Sequence, residues 1–383
     1  MFKNLRKLDF SIIIAVVLLS AYGVILIHAS VRSSATPSFA YFAFSDLWIR
    51  QLIYVITGLI IMLIFSQINF EFITRKYILV YIFVIFLLLL VLAVGADDGQ
   101  AVSRWLVFPL PGGGSISMQP SELSKILIIV FLAALLSKWK DKLNKPLNLF
   151  FIMITIIIPF YLVTMQPSLS AAIVILSISL IVLFTAGLRI RTILISFAAL
   201  TPLVIIAVYD LLLETPRIMT RFLSGFQLRR IQTFFNPVPG SDAFLQTEGS
   251  LYAITAGGFL GTGIYDGSHI IHGHNDFIFA IAAGRFGFLG GFILLAVTAF
   301  MIYRCLKIAN ESNNIQGKLI AAGVAGMLIV ETFFHVGVVT NIIPNTGMPF
   351  PFVSYGGTMV WVHMAAIGIV LNIHIKNKQR VIT

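Results

Sequence analysis

The segment Tyr77-Ile-Leu-Val-Tyr-Ile-Phe-Val-Ile-Phe-Leu-Leu-Leu-Leu-Val-Leu-Ala-Val94 contains no charged side chain. A helix of this length and composition can cross the hydrocarbon core of a bilayer, which is about 30 Å thick. Over the whole chain, 58% of the residues are hydrophobic and 11% are charged. Such a composition cannot form a water-soluble surface, so the sequence predicts an integral membrane protein.

Similar apolar runs recur along the chain and predict an all-α polytopic membrane protein with ten transmembrane helices, treated as a single domain over residues 1–383. The runs are Ser11 to Ile27, Ile49 to Ile68, Tyr77 to Val94, Leu123 to Leu136, Leu147 to Met165, Leu169 to Gly187, Thr192 to Leu213, Phe277 to Tyr303, Leu319 to Val339 and Ser354 to Ile373. The fourth is short for a span, and the eighth is long enough to be tilted.

The basic residues indicate the orientation. Most of the 26 lysines and arginines lie in the two terminal segments and in the loops that share their side of the membrane. Because basic residues are retained on the cytoplasmic side, both termini are predicted to be cytoplasmic. The net charge of +11 then reflects topology and attraction to anionic lipid, and it gives no reason to expect nucleic-acid binding.

On this topology the comparatively polar segment 214–275 is a large extracytoplasmic loop between helices 7 and 8, and Asp276 lies at its end. Loops of this length usually serve a function. Within the loop, residues 218–235 form an amphipathic stretch that is typical of a helix on the membrane surface. Its Arg229 and Arg230 are candidates for binding phosphate, a role compatible with a position at the lipid head groups.

The outer segment 99–125 has turn-forming residues on both sides of a hydrophobic stretch. It predicts a loop that dips into the interface, with Trp105 as anchor and Arg104 at the level of the head groups. At its end, Glu122 and Lys125 are three residues apart and share one face of the fourth helix. Opposite charges near the membrane indicate either function or a buried structural ion pair.

Two features of the C-terminal third also point to the protein interior. The stretch from Pro344 to Gly357 is too rich in Pro and Gly to be helical, and irregular backbone at membrane depth is tolerated only inside protein or beside a water-filled cavity. Glu331 and His335 share one face of the ninth helix. They form either a cavity or proton-linked pair or an interhelical hydrogen bond.

Four segments, in this order, resemble the SEDS family of bacterial cell-wall synthesis, which includes the RodA, FtsW and SpoVE proteins. They are Arg104-Trp105, Gln119-Pro-Ser-Glu122 with Lys125, His274-Asn-Asp-Phe-Ile-Phe-Ala280 and Pro349-Phe-Pro-Phe-Val-Ser-Tyr-Gly-Gly357. The resemblance implies a divergent, RodA-like peptidoglycan glycosyltransferase in the bacterial cytoplasmic membrane. Such an enzyme polymerises lipid II into glycan strands on the outer face and works with a class B penicillin-binding protein, a transpeptidase.

The resemblance also implies site residues. Asp276 corresponds to the catalytic aspartate of the family. The positions that correspond to the central cavity and its surroundings are Arg104, Glu122, Lys125, Ser354 and Tyr355. Gln246 and Ser250 fall in the glycine-rich outer-loop segment that continues through Ala256-Gly-Gly-Phe-Leu-Gly-Thr-Gly263.

The chain departs from the family pattern at several positions. Ser168 stands where the family usually has Asp, and Gly284 and Arg285 stand where it usually has acidic residues. In the ninth helix, Glu331 and His335 replace a Gln and an Asn. These departures indicate a divergent member whose handling of cations need not follow the common pattern.

The residues themselves suit glycosyl transfer from a polyprenyl pyrophosphate. This reaction requires a base for the acceptor hydroxyl, positive charge for the leaving pyrophosphate and an apolar groove for the lipid. We assign Asp276 as the general base. The candidate phosphate-binding cations are Arg104, Lys125, Arg229 and Arg230.

The sequence leaves the cofactor and two rival functions open. No cofactor is certain, but a divalent cation is an option, because His269, His272 and His274 lie near Asp266 and Asp276. The alternative is a solvated histidine cluster. A metal that bridges Asp276 and the pyrophosphate would make the carboxylate a ligand. The rival functions are a flippase for lipid II or another lipid-linked sugar, and an inactive scaffold for a penicillin-binding protein.

Overall fold

The computed structural model describes residues 7–32, 46–97, 103–109, 115–213, 216–221, 223, 225–264, 270 and 273–382. Its helices are α1 Phe10–Arg32, α2 Leu47–Gln67, α3 Phe70–Arg75, α4 Tyr77–Val94, α5 Pro120–Lys138, α6 Pro146–Met165, α7 Leu169–Thr185, α8 Ile190–Leu212, α9 Gly225–Phe235, α10 Asp242–Gly257, α11 Ile278–Asn310, α12 Ile315–Val339 and α13 Gly357–Ile382. The strands are β1 Ala96–Asp97, β2 Ser103–Pro109 and β3 Ser115–Met118. Short 3₁₀ turns lie at Lys140–Lys142 and Met219–Arg221.

The chain is a multi-pass membrane protein. Within the described ranges, nine helices are long and apolar enough to cross a membrane, namely α1, α2, α4, α5, α6, α8, α11, α12 and α13. The remaining predicted run, Leu169 to Gly187, forms α7, a shorter apolar helix of 17 residues. Segment 214–275, predicted as a loop, contains two helices, α9 and α10.

The structure is mostly helical, but the segment 99–125, predicted as a loop that dips into the interface, contains two β-strands. Strands β2 and β3 pair antiparallel, with Leu106 opposite Met118 and Phe108 opposite Ile116, and β1 pairs with the other edge of β2. A hairpin satisfies backbone hydrogen bonds that an irregular loop would leave without partners. The Thr358 hydroxyl donates to the Ser117 carbonyl, which attaches β3 to the first turn of α13.

Helix α5 lies at the centre of the bundle, and most of its side chains are buried. It packs against α4, α7, α12 and α13. The helix begins earlier than the predicted run, at Pro120, a residue suited to the first helical position because it lacks an N–H to satisfy. Glu122 therefore falls in the first turn, where the helix dipole favours a carboxylate.

Helix α11 is broken at Gly287, where φ is 66° and ψ is −165°. The carbonyl oxygens of Gly284 and Arg285 accept hydrogen bonds of 3.0 Å from the backbone N–H groups of Thr262 and Gly263. The glycine-rich run 256–263 thus supplies the partners that a continuous helix would supply. A Cβ added at Gly287 would lie 2.4 Å from the backbone N of Gly261.

The packing of α11 against α10 accounts for one departure from the family pattern, the glycine at position 284. A Cβ added at Gly284 would lie 3.1 Å from the Ala253 carbonyl oxygen of α10. Tight packing against α10 therefore disfavours a large side chain at position 284. The next residue, Arg285, is buried, and its guanidinium donates to the Gly263 carbonyl.

Replacing Gly287 by Ala is expected to lower the thermal unfolding temperature in detergent by several degrees. The new methyl group would overlap the backbone at Gly261, and a non-glycine residue in this conformation is strained by roughly 1–3 kcal/mol. Gly187→Ala is the matched control, because φ there is also positive, at 99°, but an added Cβ meets nothing within 4 Å. Equal effects of the two substitutions would contradict the packing argument.

Candidate active site

A cavity of about 1150 Å³ is surrounded by strand β2, the start of α5, the start of α7 and helices α9 and α10. The residues before α11 and the residues from Asn345 to the first turn of α13 complete its walls. Seven of the predicted site residues line it: Arg104, Glu122, Arg229, Arg230, Gln246, Asp276 and Tyr355. The other three, Lys125, Ser250 and Ser354, lie outside its lining. Residues far apart in sequence therefore converge on one polar space.

Asp276 faces this cavity from the turn that precedes α11. Its side chain is 23% exposed, and Oδ2 lies 3.9 Å from Nη2 of Arg230 on α9. The carboxylate is thus accessible from the cavity and has a cation beside it. This position meets the geometric requirement for a proton acceptor that works on a molecule bound in the cavity.

Positive charge is concentrated near Asp276. Burial lowers the pKa of Arg230 from its ordinary value, the charge of Asp276 opposes this shift, and the charge of Arg104 adds to it. A guanidinium nevertheless remains protonated in proteins. Because Arg104 and Arg230 repel each other across the same cavity, an anionic group placed between them would be stabilised.

The close approach of Arg230 and Asp276 depends on Gly347. A Cβ added there would lie 2.8 Å from Arg230 Nη1 and 3.1 Å from Asp276 Oδ2, and φ at this residue is +68°. The Asn345 side chain fixes the turn by accepting a hydrogen bond from the Gly347 N–H. In turn, the Asn345 amide donates to Gln246 Oε1 on α10 at 3.0 Å. Gln246 therefore supports the cavity wall that it lines.

Gly347→Ala is expected to weaken the binding of inorganic pyrophosphate by roughly tenfold, as for a misplaced charge-assisted hydrogen bond. The added methyl group would displace Arg230 or Asp276. Isothermal titration calorimetry of the detergent-solubilised protein measures the effect. Gly240→Ala is the control, because φ is +83° there and nothing lies within 4 Å of an added Cβ. Unchanged affinity in Gly347→Ala would show that the two side chains adjust freely.

The two serines predicted to bind substrate have other partners. Ser354 is fully buried, and its hydroxyl donates to the Asn275 carbonyl at 2.7 Å and accepts from the Phe350 N–H at 2.8 Å. Ser250 is also fully buried and donates to the Val339 carbonyl at 2.8 Å. Both serines therefore hold neighbouring segments of backbone together, and neither belongs to the cavity lining.

Gln51 of α2 also forms hydrogen bonds to the segment between α12 and α13. Its amide donates to the Ser354 carbonyl at 3.2 Å and accepts from the Gly356 N–H at 3.1 Å. The Tyr355 N–H donates to the His274 carbonyl at 3.0 Å. The two residues before Asp276, His274 and Asn275, are therefore held by hydrogen bonds, and Tyr355 faces the cavity from a fixed backbone.

His335 connects the first turn of α11, which follows Asp276, to the segment between α12 and α13. Its Nε2 accepts a 3.3 Å hydrogen bond from the Phe279 N–H in the first turn of α11, and its Nδ1 lies 2.7 Å from the Met348 carbonyl. A carbonyl only accepts, so Nδ1 carries the hydrogen and the ring is neutral. The imidazole thus satisfies one of the unpaired N–H groups at the start of α11.

His335→Leu is expected to lower the unfolding temperature clearly more than His335→Asn. Leucine would leave the Phe279 N–H and the Met348 carbonyl without this partner, at about 1–3 kcal/mol for each buried group. Asparagine offers one acceptor and one donor and can retain at least one of the bonds. Differential scanning fluorimetry in detergent measures both variants. Equal destabilisation would show that the ring contributes by packing alone.

Lys125 is not placed to bind phosphate, contrary to the sequence-based prediction. It is 2% exposed, and Nζ lies 2.7 Å from Glu122 Oε2 and 2.6 Å from Glu331 Oε1. A buried ammonium requires such partners. Glu331 also lies 2.6 Å from Nε2 of His363 on α13. Glu331 therefore makes interhelical contacts, and it binds different partners from His335.

The histidines considered for a metal site are only partly within the described residues. His269, His272 and Asp266 lie outside them, whereas His274 lies beside Asp276 with its ring 5.8 Å from that of Tyr355. Among the side chains that the structure does describe, no group of three His, Cys, Asp or Glu residues is arranged to hold a metal ion.

Sequence reasoning missed several residues of the site. Asn345 and Gly347 lie in the Pro- and Gly-rich stretch, where an Asn two residues before a Gly is a recognisable turn pattern. Gln227 and Ser168 also line the cavity. Gln51 carries no such signal, because a single Gln within an apolar run reveals nothing about its partner more than 300 residues later in the chain.

Comparison with known proteins gives a consistent result. A family model described as a cell cycle protein, FtsW/RodA/SpoVE, matches residues 9–379. A probable peptidoglycan glycosyltransferase FtsW from Trichlorobacter lovleyi is 29% identical, covering 97% of this chain and 94% of the relative. Stage V sporulation protein E from Bacillus subtilis is 30% identical over 95% of this chain and 96% of the relative.

Solved structures share the fold. A chain from a peptidoglycan synthase complex, studied for the coordination of polymerization and crosslinking, superposes with a TM-score of 0.78 at 24% identity, over 97% of this chain and 99% of that chain. The crystal structure of the rod shape determining protein RodA from Thermus thermophilus gives a TM-score of 0.66 at 23% identity, over 96% of both chains.

Proposed function

The chain belongs to the FtsW/RodA/SpoVE family, and we propose from this membership that it is a peptidoglycan glycosyltransferase that polymerises lipid II into glycan strands. The observation that carries the proposal is the placement of Asp276, which faces a cavity of about 1150 Å³ that is also lined by Arg104, Arg229 and Arg230. A base and several cations thus converge on one space large enough for a carrier-linked sugar.

The proposed reaction is a direct displacement. Asp276 takes the proton from a hydroxyl of the acceptor sugar, and the resulting oxygen attacks the anomeric carbon of the donor sugar. The bond from that carbon to the pyrophosphate breaks, and the polyprenyl pyrophosphate leaves with the electron pair. Arg104 and Arg230 stabilise the charge that develops on the leaving group, because guanidinium groups bind phosphate through paired N–H donors.

The proposed topology has ten spans, with α7 as the short one and both termini in the cytoplasm. The concentration of basic residues in the terminal segments supports this orientation. It places the cavity, with segment 214–275, on the outer side of the bacterial cytoplasmic membrane. Lipid II would enter from the bilayer, and the polyprenyl pyrophosphate would return to it.

We propose a class B penicillin-binding protein as the partner. The solved synthase complex, in which polymerization and crosslinking are coordinated, supports this proposal because one of its chains shares the fold of this protein.

The RodA-like subtype remains a prediction, since the relatives of 29% and 30% identity are an FtsW and a SpoVE protein. Complementation of elongation-deficient and division-deficient strains would decide between these subtypes.

Asp276→Asn is expected to reduce polymerisation of lipid II by about 10²–10⁴-fold, the usual contribution of a general base. The assay uses purified protein in detergent or liposomes, alone and with a class B penicillin-binding protein, and follows polymer by gel electrophoresis. Glu248→Gln, which neutralises an exposed acid on α10, is the control and should retain activity. Normal polymer from Asp276→Asn would remove Asp276 from the mechanism.

The same assay separates the rival functions. A flippase would change the accessibility of lipid II in liposomes without forming polymer, and a scaffold would do neither.

Addition of EDTA to the wild-type reaction distinguishes the two roles considered for Asp276. A carboxylate that acts only as a base keeps its activity after chelation, whereas one that holds a divalent cation loses it.

A further inference from the structure

Asp210 is a buried carboxylate that the proposed reaction does not use. It lies in the last turn of α8 and is 3% exposed. Its Oδ1 accepts a 3.0 Å hydrogen bond from the Arg217 N–H, and its Oδ2 accepts from the Ile218 and Met219 N–H groups at 3.0 and 2.8 Å. Hydrogen bonds to a carboxylate are stronger than those between neutral groups, so this contact fixes the backbone of residues 217–219.

The carboxylate is also one of the few buried groups of its helix. Among the described side chains of α8, only Asp210 and Leu211 are buried. The helix packs against α9 and against the 3₁₀ turn Met219–Arg221. A buried carboxylate is costly unless it is hydrogen-bonded, and the three N–H donors meet this requirement. The end of α8 and the turn after it therefore hold each other in place.

The turn held in this way leads directly into α9. Within it, the Arg221 N–H donates to the Ile218 carbonyl at 3.1 Å, and the Leu223 N–H donates to the Met219 carbonyl at 2.9 Å. Helix α9 begins at Gly225 and packs against the same turn. The backbone that the carboxylate fixes thus determines where α9 starts.

Helix α9 needs such an attachment because it is short. It has 11 residues, and a helix of fewer than about 12–15 residues is marginal without tertiary contacts. It packs against α10, and its Arg230 approaches Asp276 with 3.9 Å between Nη2 and Oδ2. An N–O separation of 3.9 Å is too long for a hydrogen bond. The turn before α9 therefore contributes to the placement of Arg230 at the cavity.

We infer that Asp210 is a positioning residue for Arg230. Its carboxylate fixes the turn before α9, and α9 then holds the guanidinium group in the cavity lining beside Asp276. Asp210 is not among the described residues that line the cavity, so it acts through Arg230 and does not contact substrate. The inference rests on the proposed function for the identity of the ligand, a pyrophosphate, whereas the placement of α9 is independent of it.

A distance measurement tests the placement of α9 without a ligand. Nitroxide labels at Phe235→Cys on α9 and Ile53→Cys on α2, both exposed positions, report on this placement by double electron–electron resonance. The labels are attached in a Cys305→Ala background, because Cys305 is the sole cysteine. We expect a narrow distance distribution with Asp210 present and a shifted or broadened one in Asp210→Ala. An unchanged distribution would overturn the positioning role.

Binding of inorganic pyrophosphate tests whether Asp210 acts through Arg230. By isothermal titration calorimetry in detergent, Asp210→Ala is expected to weaken binding roughly tenfold, as for a misplaced charge-assisted hydrogen bond. Asp210→Asn offers one oxygen that can accept two of the three N–H groups, and it should bind with intermediate affinity. In an Arg230→Ala background, Asp210→Ala should cost less than about twofold, because the group it positions is gone. Equal losses in both backgrounds would overturn the inference.

Asn69→Ala is the matched control for both measurements. The Asn69 side chain accepts a 3.1 Å hydrogen bond from the Glu71 N–H and caps α3, and Asn69 is not among the described residues of the cavity lining. Its removal is expected to lower the unfolding temperature and to leave the distances and the affinity unchanged. The same changes in Asn69→Ala as in Asp210→Ala would indicate a general loss of stability and would refute a specific role for Asp210.

The outcomes separate this inference from the proposed function. If the wild-type protein formed no polymer and bound no pyrophosphate, the glycosyltransferase proposal would fail, and the distance measurement would still decide whether Asp210 places α9. Conversely, wild-type polymerisation together with an unchanged distance distribution in Asp210→Ala would refute the inference and leave the enzymatic function intact.

Discussion

Backbone hydrogen bonding in the segment between α12 and α13 is the constraint on which the site depends. This stretch is irregular, and lipid offers no partner for its N–H and C=O groups. The partners come from the side chains of Gln51, Ser354 and His335 and from the backbone carbonyl of His274. Two of these groups also hold the residues just before Asp276, since the Tyr355 N–H donates to the His274 carbonyl and the Ser354 hydroxyl donates to the Asn275 carbonyl. The bonds that stabilise the irregular segment therefore also fix the position of the Asp276 carboxylate.

The charged side chains that line the cavity and those that are buried beside it are stabilised in different ways. The cavity keeps Arg104, Arg229 and Arg230 near an open space, where an anionic ligand would complete the electrostatic balance. The buried Lys125 instead has its counter-charges beside it, in Glu122 and Glu331. The difference follows from solvent access, since a charge in the cavity can be hydrated before substrate binds, whereas one at the position of Lys125 cannot.

Much of this arrangement could be predicted from the sequence, and the failures have physical causes. The apolar runs located the helices because length and hydropathy are local properties. Asp276, selected from its motif, lines the cavity, and its catalytic role stays a prediction. The roles of Lys125 and Ser354 were mistaken because a sequence does not show which way a side chain points. The pairing of Glu331 with His363 joins two helices, and periodicity within one helix cannot reveal it. The pairing of β2 with β3 was missed because their short, mostly non-alternating sequences give no clear strand pattern.

The break at Gly287 divides α11 into two pieces. The segment that follows α10 joins them, because its backbone hydrogen-bonds to Gly284 and Arg285 before the break and to Phe288 and Leu289 after it. The short piece begins directly after the turn that carries Asp276. A displacement of the end of α10 would therefore be transmitted to Asp276 through the main chain, without passing through any side chain of the cavity.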